Sequence, residues 1–340
     1  MRDVWNELLE FESRDLLERF FKRYHNSDVN EWKVRQVSSN FIQGREYFRS
    51  AKEASITVRP LLLYYGIVSL GRGLTLMLKP KLNETNLKGS HGLEVKNWST
   101  VLSNRQFEDL QISVGEGSFS ELLSGTQNRN YLRVGADAVN FSNALKMPEK
   151  ECLINFRDLF NFLPDLNREF SVWINEPLPF LLYSPTHTTQ GIPNRTIISV
   201  YDTSVTDDLV EQIFPERYCP ERTITRFERH VIIKYESAAW APNFTQKWHG
   251  AFGLGELCIV PPLKDDVGLN SLGAMFAVSY VLGMMARYYP STWISLGQVQ
   301  RGDRILPLIN RFLSFVQEVY PQAILDFLRA PYSFEQVSQK

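Results

Sequence analysis

Apolar residues at Trp5, Leu8, Leu9, Leu16, Leu17, Phe20, Phe21 and Tyr24 recur at intervals of three and four, which predicts a helix with one buried face. A polar linker follows. A second stripe, Tyr47, Phe48, Ala51, Ala54, Ser55 and Val58, predicts another helix, ending near Arg59 because Pro60 disfavours helical geometry in the residue before it. Pro60 then opens a third helix, where its missing N–H costs nothing. From there to about Leu78 the chain is apolar on nearly every side except at Arg72, so this helix belongs at the centre of a bundle, and Pro80 marks its stop.

Between about Lys81 and Leu263 the helical period is lost and short β-branched and aromatic runs alternate with Gly, Pro and Asn. Strands are predicted near Phe107 to Val114, Phe180 to Tyr183, Thr196 to Tyr201, Thr223 to Tyr235 and Ala251 to Val260, with helical segments near Phe119 to Ser124, Leu153 to Leu163 and Thr206 to Phe214. No regular strand–helix–strand alternation runs through this region, so its sheet is expected to be antiparallel. Helices return with Leu269 to Tyr289, stopped by Pro290, and with the stripe Ile305, Leu308, Ile309, Phe312, Leu313, Val316 and Val319, stopped by Pro321 and followed by a short last helix to about Arg329. The economical arrangement is an α+β fold: residues 1–95 and 265–335 form a helical bundle, and a mixed, strand-containing middle, 96–264, is inserted in it.

Composition narrows the functional classes. Apolar residues make up 44% of the 340 and charged residues 22%, a folded rather than a disordered balance. Lys plus Arg number 37 against 38 for Asp plus Glu, so no global basic field favours a phosphate backbone. The odd set Cys152, Cys219 and Cys258, without CxxC spacing, excludes a disulfide framework and fits a reducing cytoplasm. The start of the chain carries no signal-peptide pattern. Val267 to Ala286 is uncharged, but Asn270, Ser271, Ser279, Tyr280 and three glycines dilute it, which suits a buried core helix better than a membrane span.

Motifs that carry chemistry are sparse. Gly250-Ala251-Phe252-Gly253-Leu254-Gly255 lacks the spacing and the Lys-Ser/Thr of a phosphate-binding loop and reads as a closely packed turn. Gly71-Arg72-Gly73, inside a helix, reads as a place of close helix packing. Gly115-Glu116-Gly117-Ser118 is not a serine-hydrolase elbow. His25, His91, His187, His230 and His249 are too scattered for a metal site, and nothing calls for a cofactor. Between Arg217 and Lys234, the arginines Arg222, Arg226 and Arg229 on a strand edge could track a nucleic-acid backbone, although interleaved glutamates favour a solvated strand face. Arg19 and His25 have the spacing of the HEPN class of ribonucleases, a spacing that arises readily by chance and here falls on the first helix.

Two segments carry a family likeness. Tyr47-Phe48-Arg49-Ser50-Ala51-Lys52-Glu53-Ala54-Ser55, running on to Arg59-Pro60-Leu61-Leu62-Leu63-Tyr64-Tyr65-Gly66 and then Ser90-His91-Gly92-Leu93, resembles the YaaC-like family of bacterial proteins, and Met284-Met285-Ala286-Arg287-Tyr288-Tyr289-Pro290-Ser291-Thr292-Trp293 is similar to the same family's Arg-Tyr…Trp element. The segment after the His-Gly turn, Glu94-Val95-Lys96-Asn97-Trp98, departs from the basic stretch expected there. The resemblance implies a bacterial cytoplasmic protein without assigned chemistry. Its matched segments carry Arg72, His91 and Arg287 beside apolar helices, where they either tie the bundle ends to carbonyls and acids or form a small anion-binding pocket at the junction of bundle and insert. The expectation is a binding or interaction protein with a protein partner, part of a bacterial cellular or defence assembly and not membrane-bound. The alternative is a nuclease or nucleotide-processing enzyme whose site assembles from distant residues.

Overall fold

The structure, a computed structural model, describes residues 3–133, 139–141, 144–188, 195–200, 205–215, 221–236, 244–248, 256–298 and 303–329. The first predicted helix is broken into α1 (Val4–Leu8), a 3-10 turn and α2 (Arg14–His25), with Ser13 extended between them. The break turns the face, so Phe11 is buried while Leu9 and Leu16, counted in the predicted stripe, are exposed. Then come α3 (Glu31–Glu53) and α4 (Arg59–Leu78), with Pro60 in the first turn of α4.

After α4 the chain forms β1 (His91–Val95), α5 (Trp98–Asn104), β2 (Gln111–Gly117), α6 (Ser118–Gly125), β3 (Tyr131–Arg133), β4 (Val139–Phe141) and β5 (Leu153–Asn155). A 3-10 helix, Arg157–Phe162, follows β5, so the predicted helix from Leu153 is a strand followed by a turn-like helix. Next are α7 (Asn167–Ile174), β6 (Leu181–Thr188), β7 (Arg195–Val200), α8 (Asp207–Ile213), β8 (Thr223–Arg226), β9 (Val231–Glu236), β10 (Thr245–Trp248) and β11 (Glu256–Ile259). The chain closes with α9 (Ser271–Tyr288), α10 (Pro290–Ser295) and α11 (Leu306–Arg329). Pro321 does not stop α11, because Ile324, Leu325, Phe327 and Leu328 continue its buried face and their burial outweighs the one forfeited backbone bond.

Among the described residues all strand pairs are antiparallel, in the orders β1-β2-β5, β10-β11-β6-β7-β9-β8 and β3-β4. In β9, Val231, Ile233 and Tyr235 are buried and Lys234 is exposed, the period-two pattern of a sheet with one covered face; Val210, Ile213 and Phe214 of α8 and its end share that core. A separate, larger core holds the helices together with β1, β2 and β5. α4 packs against α3, α6, α9 and α11. Its Gly73 lets Phe41 of α3 approach, since an added Cβ would sit 3.1 Å from that ring. α9 is buried at every residue from Leu272 to Met285. Among the described residues α4 is the helix long and apolar enough to cross a membrane, and 67% of its apolar window is buried within the protein.

Loop 126–130 and the start of α9 are joined through a buried amide network. Asn128 Nδ2 donates to the carbonyls of Leu145 at 3.2 Å and Gly268 at 2.9 Å, and its Oδ1 accepts from the Asn270 N–H at 3.0 Å. Asn270 caps α9 by accepting from Gly273 N–H at 2.7 Å and donates to Thr126 Oγ1 at 2.8 Å.

Candidate functional site

His91 opens β1 beside the middle of the bundle. A bulge follows it, with Gly92 at φ +77° and Gly117 of β2 at φ +150°; a Cβ on Gly117 would lie 2.4 Å from the Gly92 nitrogen, so only glycine lets the two backbones touch and fixes where His91 sits. The Tyr64 hydroxyl of α4 lies 2.6 Å from His91 Nδ1. Burial holds the Tyr64 phenol far above its ordinary pKa, so Tyr64 keeps its proton and donates. Burial, then the Arg287 charge, pushes the His91 pKa down, and the neutral ring accepts at Nδ1 and carries its proton on Nε2. Nε2 has no hydrogen-bond partner among the described residues. Tyr280 of α9 completes the cluster, 5.6 Å from the His91 ring and 5.7 Å from that of Tyr64, its own phenol pushed up to about 12 by burial.

Arg287, in the last turn of α9, is exposed. Its Nη1 donates to the Tyr65 hydroxyl at 2.5 Å and its guanidinium lies 5.0 Å from the centre of the Tyr288 ring, with no carboxylate partner among the described residues. Tyr65 is in turn stacked on Tyr47 at 5.8 Å. A guanidinium and a neutral imidazole N–H therefore share one aromatic region, an arrangement suited to holding a carboxylate or phosphate. Arg72 is elsewhere: seven residues beyond Tyr65, about 10 Å along the helix axis, it donates to the Lys88 carbonyl at 3.3 Å and so fastens the loop that leads into β1.

The three arginines proposed for a nucleic-acid backbone lie at the edge of the larger sheet, on and beside β8. Arg222 is bound to Glu211 at 2.6 Å and to the Phe214 carbonyl; Arg226 is bound to Asp207 and, at 2.7 Å, to the Val205 carbonyl. Both fasten the edge strand to α8 and the residues around it. Arg229, in the turn between β8 and β9, is exposed. Of the remaining sequence candidates, the His25 Nε2 lies 2.9 Å from the Met77 carbonyl while Arg19, six residues earlier and about 120° away around α2, is exposed. Cys219, His249 and the glycine-rich 250–255 segment lie outside the described residues, as does the side chain of His187. Among the described residues no three His, Cys, Asp or Glu side chains converge.

Sequence reasoning missed Lys33. It is 2% exposed, and its ammonium donates to the Lys79 carbonyl at 3.2 Å and to the Leu82 carbonyl. The signal was present: carrying the Phe48 stripe back through Gly44, Asn40 and Val37 lands on Lys33, a cation at a core position. Burial lowers its pKa from 10.5 to about 8. Between these values the unfolded chain binds the proton and the folded chain does not, so this lysine adds stability as pH rises through the interval. The difference in unfolding free energy between wild type and Lys33→Met should therefore grow by about 3 kcal/mol from pH 7.5 to 10.5, read by urea unfolding at each pH. Taking the difference cancels the opposite trend from Tyr64, Tyr280 and Tyr320, whose raised pKa values stabilise the fold only until tyrosines of the unfolded chain ionise near 10. A flat difference would contradict the burial of a charged lysine.

The family described as YaaC-like Protein matches residues 9–328, which span α2 to the last turn of α11 and include every site residue named above. No curated protein and no solved structure matches the chain. With nearly its whole length matched, the chain belongs to the YaaC-like family.

Proposed function

We propose that this is a cytoplasmic binding protein of a bacterial assembly, which engages an acidic and apolar segment of a protein partner through the face around Arg287. The observation that carries this reading is an exposed arginine held on tyrosines with no carboxylate of its own among the described residues. Exposed Tyr288 follows it in sequence, and the turns on either side add exposed apolar surface. Trp293 of α10 donates to the Ile56 carbonyl at 3.1 Å and ties α10 to the α3–α4 turn, and Ile294, Ile56 and Val58 are exposed. Apolar surface around one uncompensated cation suits a partner carrying an aspartate or glutamate among apolar residues.

The test is a photo-crosslinker placed at Ile294 in the full-length protein in cells. A discrete protein adduct that disappears with Arg287→Glu, while the melting temperature stays within about 1 °C of wild type as for other surface changes, supports the reading. No adduct, or one indifferent to the charge reversal, rejects it. Arg287→Met separates binding from support: a fall of several degrees without a change in the adduct would make the arginine a structural tie between α9 and Tyr65. The ribonuclease alternative draws little support from Arg19 and His25, which point away from each other on α2 and of which His25 is engaged by a main-chain carbonyl.

A further inference from the structure

At one end of the bundle, where α2 turns into α3 and α4 ends, a cleft of about 850 Å³ opens between the Asn26–Asn30 turn, the start of α3, the Leu78–Asn83 turn and the end of α6. Its charge is one-sided. Lys33, Lys79 and Lys81 line it, with His25 beside them, and Asp28 is the acid among its lining residues. Asp28 is already engaged, 3.0 Å from Lys22 at the surface. Lys79 reaches a neutral partner, Ser124 Oγ at 2.7 Å, and Lys81 is exposed without an ion pair among the described residues.

The buried member of this set is the informative one. Lys33 is 2% exposed, and its two main-chain acceptors, the carbonyls of Lys79 and Leu82, carry no formal charge to set against its own. Burying an ammonium without a carboxylate is costly, and Lys79 and Lys81 bring two further cations to the lining of the same cleft. The start of α3 adds its positive end to the same side. Such a collection of cations is stabilised when an anion enters. Three point-charge ammonium groups suit a multiply charged oxyanion approached from several directions, which is phosphate rather than a single carboxylate. The cleft is also much larger than a phosphate ion and falls in the range of about 300 to 1,000 Å³ typical of small-molecule sites. Phe21, Val29, Leu78 and Pro80 give it an apolar wall.

We propose that this cleft binds a phosphorylated small molecule, its phosphate held by Lys33, Lys79 and Lys81 and its organic part against the apolar wall. The site is separate from the Arg287 face, so each reading can fail without the other.

The full-length protein would be titrated calorimetrically with inorganic phosphate, pyrophosphate and ribose 5-phosphate, with sodium chloride at matched ionic strength as the control. Expected is saturable binding of ribose 5-phosphate tighter than about 1 mM, weaker binding of inorganic phosphate, and no saturable heat with chloride. The Lys79→Ala/Lys81→Ala double variant should bind at least about tenfold more weakly, and Arg287→Glu should bind as wild type does. Tighter binding of pyrophosphate than of ribose 5-phosphate, lost in the double variant, would keep the phosphate site and assign the recognition to phosphate alone. Absence of binding by all three phosphates, or binding that the double variant retains, overturns the proposal. Should the double variant melt below wild type, Lys81→Ala alone decides, since Lys81 has no ion pair among the described residues to lose.

Discussion

Residues 1–95 expressed alone should yield an aggregated or partly disordered product. α4, the apolar helix of that fragment, relies on segments more than 175 residues further along the chain. Tyr64 packs edge-on against Phe276 and Tyr280 of α9 at 5.7 Å in each case, and Gly283 lets α9 come close, its added Cβ falling 3.1 Å from Tyr64. On another side, Tyr320 of α11 donates to the Ile67 carbonyl and lies against Gly71. Leu63, Tyr64, Ile67, Leu70 and Leu74 are all fully buried in the whole protein. Exposing even four such side chains forfeits roughly 6 to 12 kcal/mol, as much as the net stability of about 5 to 15 kcal/mol of a typical domain. The two ends of the chain are therefore expected to fold as one unit. Circular dichroism melts and gel filtration of the fragment check this, and a monomer with a cooperative thermal transition would refute it.

Asn128→Ala is expected to cost about 4 kcal/mol or more, a loss on the scale of a large core truncation. Asn128 is fully buried and lies in the left-handed region at φ 47°, which asparagine tolerates better than alanine does. Its amide satisfies the Leu145 and Gly268 carbonyls and the Asn270 N–H. Truncation removes three partners at once from buried main-chain groups, each unsatisfied group costing about 1 to 3 kcal/mol. Asp at this position should fare no better, because it cannot donate to the two carbonyls and would bury a charge. Chemical denaturation of Asn128→Ala beside Asn310→Ala, an exposed position on α11, checks the claim. Equal midpoints for the two variants would show that the network contributes little.

The histidine and the cationic cleft also differ in how they can be probed by pH. The depressed His91 pKa means that protonation of the unfolded chain precedes that of the folded one as pH falls below 6.5, so acid weakens the fold through this residue. Lys33 acts at the other end of the scale, above about 8.

The elements legible in the amino-acid sequence are those whose signal is local and long. Apart from Arg72 and Arg287, α4 and α9 are apolar on nearly every side, and Pro60 sits where a first helical turn accepts it, so a central pair of helices contributed by opposite ends of the chain could be read directly. In the β7–β9 region strand content was legible from its β-branched runs, but the single strand expected over Thr223 to Tyr235 is two antiparallel strands, β8 and β9, joined by a turn. Three-residue strands such as β3, β4 and β5 carry no period to read, and they exist because a neighbouring strand offers hydrogen bonds. Ser13 breaking the first helix and Pro321 failing to break the last were decided by burial: turning Phe11 inward was worth more than continuing one stripe, and the core beneath α11 was worth more than one lost bond. Among the site residues, the sequence marked His91 and Arg287 as lone ionisable groups beside apolar helices, but not that Tyr64 and Tyr65 would receive them. The pairing of Arg222 and Arg226 with α8, the separation of Arg72 from His91 and Arg287, and the burial of Lys33 among main-chain carbonyls all follow from contacts between residues distant along the chain. An ionisable side chain takes its role from the charges and carbonyls that tertiary packing brings to it, and a single sequence records its position but not those neighbours.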